Sequence, residues 1–116
     1  MKEYKRKHER YDSLNLLSYV CIDSDGKEWS QGMGRTLNIS ASGMKLETHE
    51  PVDTRYILLL SIGIEDDVVD IKGKVVYCNR GSEGKFESGI EFKQVKPDAL
   101  AALNKYIDEF QKQFNK

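Results

Sequence analysis

Apolar positions along this chain come in six short bursts with strand-like spacing and then switch to a helical period. Leu14 to Ile22 is apolar and aromatic enough for a strand, and Asp23-Ser24-Asp25-Gly26 supplies the Asp-Gly pair of a tight hairpin turn. A second strand is expected from about Trp29 to Asn38, with Gly32 and Gly34 reading as the bulge or bend that a small closed sheet needs at a corner. Met44, Leu46 and Thr48 alternate with Lys45 and Glu47, which predicts a short strand with one wet face, closed by Pro51. Tyr56 to Ile64 and Val68 to Cys78, separated by the acidic turn Glu65-Asp66-Asp67, read as two long neighbouring strands at the centre of the core. Phe86, Ser88, Ile90 and Phe92 make a sixth segment, entered through the glycine-bearing loop Asn79 to Gly84.

Beyond Phe92 the period changes. Pro97 suits the first turn of a helix, Asp98 lies where the helix dipole favours a carboxylate, and Leu100, Leu103, Ile107, Phe110 and Phe114 recur at helical spacing. That stripe is expected to pack on the sheet, with a helix over about 97–114. Six short strands followed by one helix predict a mainly β fold, a six-stranded antiparallel barrel with a C-terminal α-helix laid against it. The 116 residues suit one folding unit, here divided into an N-terminal arm over 1–12 and a barrel with its helix over 13–116.

Charge narrows the classes of function. With 18 basic and 19 acidic side chains the net charge is −1, so no overall field gathers the chain onto a nucleic-acid polymer or an anionic membrane. Any anion site must be local, and Lys2, Lys5, Arg6, Lys7 and Arg10 form a basic cluster near the start. No stretch reaches the roughly 20 apolar residues of a membrane span, and Met1-Lys2-Glu3-Tyr4-Lys5 lacks the apolar core of a signal peptide; a cytoplasmic protein without membrane insertion is expected. Cys21 and Cys78 are far apart and in no CxxC pair, which predicts two reduced, half-buried thiols.

Catalytic groupings are missing. His8 and His49 are isolated and complete no HExxH site, and there is no GxSxG elbow. Gly81-Ser82-Glu83-Gly84-Lys85 lacks the spacing of a phosphate loop and is followed by Phe86, so it reads as a hairpin loop. Asp23-Ser24-Asp25-Gly26 lacks the later ligands of a calcium loop and reads as a turn. The expectation is a protein that is not an enzyme and that carries no metal or cofactor.

Two other motifs stand out. Arg6-Lys7-His8-Glu9-Arg10 is an RxxxR just before the first strand, and Asn38-x-Ser40-x-x-Gly43 lies between the second and third, where a turn would hold the Asn and Ser side chains and Gly43 could take a positive φ. In this order and spacing the pair resembles the two signatures of PilZ domains, and Gly89-Ile90-Glu91-Phe92 resembles that family's GΦxF segment. The resemblance spans nearly the whole chain and implies a PilZ-like split barrel that binds cyclic di-GMP. It implies Arg6, Arg10, Asn38, Ser40 and Gly43 as ligand-binding residues, with Lys5 and Ser42 as secondary contacts. The chemistry suits those roles: an arginine fork meets the adjacent O6 and N7 acceptors of guanine, stacks on a base or clamps a phosphate. Extended, Arg6 and Arg10 share a face about 13 Å apart; in a helical turn they come within about 6 Å. Family members often have a further arginine where this chain has Lys5, which leaves one or two ligands per protomer open. Arg35 and Arg80 are further basic residues that could reach the site, or serve only the surface.

On this reading the ligand folds the arm over the barrel and alters a surface for an unidentified effector protein, with homodimerisation left open. An interaction module of the same fold that does not bind nucleotide is the alternative, though such relatives usually lose the motif arginines. A small barrel for single-stranded nucleic acid would want a basic groove with aromatic platforms, against which the near-neutral charge argues.

Overall fold

The structure is a computed structural model that describes residues 16–64 and 67–114. The expected arm, with Lys5, Arg6 and Arg10, and the first two residues of the acidic turn, Glu65 and Asp66, lie outside the described residues. Six strands follow in order: β1 Leu16–Ile22, β2 Glu28–Ile39, β3 Gly43–Thr48, β4 Ile57–Ile64, β5 Asp67–Arg80 and β6 Phe86–Lys93, with a short 3₁₀ turn at Ser82–Gly84 and the helix α1 Pro97–Phe114 at the end. They pair antiparallel in the cyclic order β1-β2-β3-β6-β5-β4, a closed barrel. Closure leaves no strand edge to template aggregation, which is how a small all-β domain protects its backbone donors and acceptors.

The predicted elements are all present. β2 and β5 run one or two residues past the ends read from sequence, and Asp23 to Gly26 forms the expected hairpin turn, with Gly26 at φ 82°. Alternate residues point inward: Leu17, Tyr19 and Cys21 from β1, Leu46 from β3, Leu58, Leu60 and Ile62 from β4, Ile71 and Val75 from β5, and Ile90 and Phe92 from β6 are buried. Leu103, Tyr106 and Phe110 of α1 pack onto this core, while Leu100, expected in the same stripe, is exposed. Tyr106, which the helical spacing had not singled out, is the largest fully buried side chain, and its hydroxyl lies 3.1 Å from Thr36 Oγ1. That bond satisfies a phenol inside the core and ties the helix to β2; burial raises the Tyr106 pKa above its ordinary value.

Several expectations need correction. Gly32 and Gly34 do not mark the bulges of β2. A Cβ on Gly32 would press on the Tyr19 ring, and one on Gly34 would press on Leu46 and the backbone oxygen of Glu47, so both glycines permit close packing. The register shifts fall instead where Trp29, Leu37 and Val76 are the extra residues. The wet face expected of β3 is incomplete, because Glu47 is buried. Its carboxylate accepts from Arg35 Nε at 3.1 Å and pairs with Arg35 Nη2 at 3.0 Å, with Lys85 Nζ at 3.9 Å. Cys21 is fully buried rather than half-buried, and Cys78 is intermediate; both are free thiols.

Candidate functional site

The site is built by two bulges. In β2, Gly34 and Thr36 face the core; past the extra residue Leu37 it is Ile39 that does so, and Asn38 is exposed. An unbroken alternation from Thr36 would have turned Asn38 inward. In β5, Ile71, Gly73 and Val75 face inward, and the extra residue Val76 puts both Val76 and Tyr77 on the outer surface, Val76 being 57% exposed. Each bulge re-aims a side chain at the same patch of outer wall.

Register completes the patch. Asn38 pairs with Lys45, Lys45 with Gly89, and Gly89 with Tyr77, so one row crosses four strands. The next row runs from Gly43 to Glu91 to Lys74. Apart from Lys74, the residues of these rows line an open cavity of about 410 Å³ on the barrel's outer face, with Ser40 and Ser42 at one end and Val76 and Tyr77 at the other. A volume of that size lies within the roughly 300–1,000 Å³ of small-molecule sites.

The bend between β2 and β3 is held from within. Ser40 N donates to Gly43 O at 2.8 Å, Ser42 N donates to Ser40 Oγ at 3.3 Å, and the two serine hydroxyls lie 3.2 Å apart. Asn38 Oδ1 accepts from Ile39 N at 2.9 Å, which fixes the side chain and leaves its NH₂ group without a partner among the described residues. β6 anchors the bend through Phe92 N, which donates to Ser42 O at 2.9 Å. Gly43 does not have the positive φ considered from sequence. Its need for glycine is steric, because a Cβ there would overlap the backbone carbonyl of Ile90.

Asn38, Ser40, Ser42 and Gly43 are thus brought together in one cavity wall. Arg35 is drawn off by Glu47, and Arg80, opposite Phe86 near the end of β5, does not line the cavity. Lys45, Tyr77, Gly89 and Glu91 line it and were not read as site residues. Gly89 and Glu91 belong to the late glycine segment; nothing in the local sequence marks Lys45 or Tyr77, which strand pairing alone brings in. Lys45 Nζ is 3.9 Å from Glu87 Oε1, a loose exposed pair that leaves it available to an anion. Glu91 pairs with Lys93 Nζ at 2.6 Å, and the hydrogen bond from Lys93, its charge and that of Lys74 hold the Glu91 pKa below its ordinary value.

The barrel thus carries on its wall a glycine-backed cavity lined by both polar and apolar residues. The sequence profile of the PilZ domain matches residues 4–109, and the chain belongs to that family. Solved structures agree on the fold. The apo form of MrkH from K. pneumonia superposes with a TM-score of 0.59 at 15% identity, covering 87% of this chain and 48% of that one. The PilZ domain of YcgR from Escherichia coli, solved with c-di-GMP, gives 0.59 at 11% identity, covering 84% and 83%. The chain therefore spans about half the length of MrkH and most of the YcgR domain. No curated protein matches by sequence. Among the described residues no helix is long and apolar enough to cross a membrane.

Proposed function

We propose that this chain is a cytoplasmic receptor for cyclic di-GMP, a binding module without catalytic activity. The ligand lies in the cavity formed by Asn38, Ser40, Ser42 and Gly43, and the segment carrying Lys5, Arg6 and Arg10 closes over it. Family membership and the c-di-GMP held by the YcgR domain support the ligand. The observation that carries the site is where β1 opens: Leu16 pairs with Arg35, three residues before Asn38 on the adjacent strand. The start of β1 is therefore within about 10 Å of the bend along the sheet. Arg10 and Arg6 precede Leu16 by six and ten residues, a reach of up to about 20 and 33 Å of extended chain, more than enough to return to the cavity.

In this arrangement the arginine forks bind guanine or phosphate oxygens. The free NH₂ group of Asn38 and the serine hydroxyls offer short-range polar contacts, and Lys45 offers a cation to a phosphate. Closure reshapes the outer wall, and this changes the surface presented to an effector protein.

Calorimetric titration with cyclic di-GMP tests the reading. Saturable binding is expected, weakened about tenfold or more in Arg6→Ala and in Arg10→Ala, since each removes a charge-assisted contact. Absence of heat and saturation with the unmodified chain, or binding by both variants as tight as that of the unmodified chain, would overturn it. Recovery of the same partner protein with and without the nucleotide would instead favour an interaction module of the same fold.

A further inference from the structure

Closing the barrel leaves no strand edge to share, so a protein that joins this domain must meet one of its faces. The outer wall of β2, β1, β4 and β5 is apolar at its centre. Val20 and Ile22 of β1 and Ile57 and Leu59 of β4 alternate with buried neighbours and so point outward. Pairing sets Ile22 beside Ile57 and Val20 beside Leu59, a square of four half-buried aliphatic side chains, none of which belongs to the core cluster. At one end of the square Trp29, 55% exposed, stacks on Tyr56; past the other stands the exposed Met33. Apolar surface gathered in this way, and not scattered singly, marks an interaction site.

Charge runs across this wall in one direction. The row through Ile22 and Ile57 begins at Glu28 on β2 and ends at Lys74 on β5, and the next row, through Val20 and Leu59, begins at Gln31 and ends at Lys72. Glu28, Lys72 and Lys74 form no close ion pair among the described residues. We propose that this wall is the interface of a homodimer, two copies packing face to face about a two-fold axis that runs along the strands between β1 and β4. That rotation sets β1 of one copy over β4 of the other and β2 over β5. Ile22 then meets Ile57, Val20 meets Leu59 and Glu28 meets Lys74, each pair formed twice. A different protein would require no match between the two sides of the wall, whereas a second copy does.

Sheets packed face to face stand about 10 Å apart with strands within about 30° of parallel, a gap filled by one layer of side chains from each copy and an offset that long Glu and Lys side chains span. Three rows on four strands measure about 20 by 20 Å, or roughly 400 Å² a side, at the low end for a specific interface, so the dimer is weak and concentration-dependent. None of the wall's residues lines the cavity, which stays open in the dimer, and the inference does not depend on the nucleotide-receptor reading.

Sedimentation of the full chain over roughly 10 μM to 1 mM tests the proposal, and monomer should pass into dimer across that range. Glu28→Lys and Lys74→Glu should each weaken association about tenfold at low ionic strength, because each sets like charges face to face twice. Mixed in equal amounts, the two variants should pair with each other as tightly as the unmodified chain pairs with itself, since the facing positions carry opposite charges again; the double variant should do the same alone. Leu59→Asp, at the centre of the square, should abolish the dimer, with a thermal melt to show that the barrel is folded. A chain that stays monomeric throughout overturns the proposal and leaves the wall to its own leading segment or to a different protein. A dimer indifferent to both charge reversals, or weakened by them and not restored by mixing, overturns this face as the interface.

Discussion

The two turns at the ends of β2 use nearly the same residues to opposite effect. In the β1–β2 hairpin, Asp23 Oδ1 accepts from the backbone N–H groups of Asp25 and Lys27 at 2.9 Å, and Oδ2 accepts from Trp29 Nε1 at 2.8 Å. Its polar side chain is consumed by the turn that it builds, and Trp29 in turn stacks on Tyr56 with ring centroids 6.2 Å apart. In the β2–β3 bend, Asn38 and the serines brace the backbone as well, but Asn38 keeps an amide group free and the bend opens onto a cavity. A turn whose hydrogen-bonding capacity is spent internally supports the fold, whereas one that retains capacity beside a concave wall can take a ligand.

This contrast can be broken at several points. The largest effect is expected at Gly43, where Gly43→Val drives a side chain into the Ile90 carbonyl and must part β3 from β6. Stability in urea should fall by about 2–3 kcal/mol, with loss of ligand binding. An unchanged unfolding midpoint would show that the close approach is dispensable. Asn38→Ala should separate stability from binding: at this exposed position the melting temperature should hardly move, while affinity for cyclic di-GMP falls about tenfold. Asp23→Ala is the mirror experiment. It should lower the melting temperature by roughly a few degrees and leave ligand affinity untouched, and a loss of affinity there would erase the distinction between the two turns.

The smallest expected effect concerns acid. Asp53 is held down to about pKa 2 from an ordinary 3.8, first by the side-chain hydrogen bonds from Arg55 and then by the Arg55 backbone N–H. A carboxylate depressed in the folded state adds stability above its unfolded pKa and loses it as pH falls through the folded one. Part of the acid destabilisation between about pH 4 and pH 2 should therefore disappear in Asp53→Asn, in thermal melts taken across that range. Since the group is exposed, the difference should be small and should shrink further with added salt.

The order and type of the elements were legible in the amino-acid pattern because each depends on neighbours in sequence. Period-two runs made β3 and β6 visible, Asp25-Gly26 marked a turn, and the stripe through Leu103, Ile107 and Phe110 marked the helix. The spacing of Asn38, Ser40 and Gly43 likewise located half of the candidate site within a single bend. What those patterns could not carry is anything set by register between distant strands. Leu37 and Val76 look like ordinary strand residues, and only pairing with β3 and β6 makes each the extra one that turns Asn38 and Tyr77 outward. Glu47 reads as a surface charge until Arg35 and Lys85 close over it, and Tyr106, not singled out by the helical stripe, becomes a core residue when its hydroxyl finds Thr36 inside the barrel. Chain-local preferences thus chose the strands, the turns and the helix, whereas barrel closure, through bulges and cross-strand rows, decided which side chains share the cavity wall.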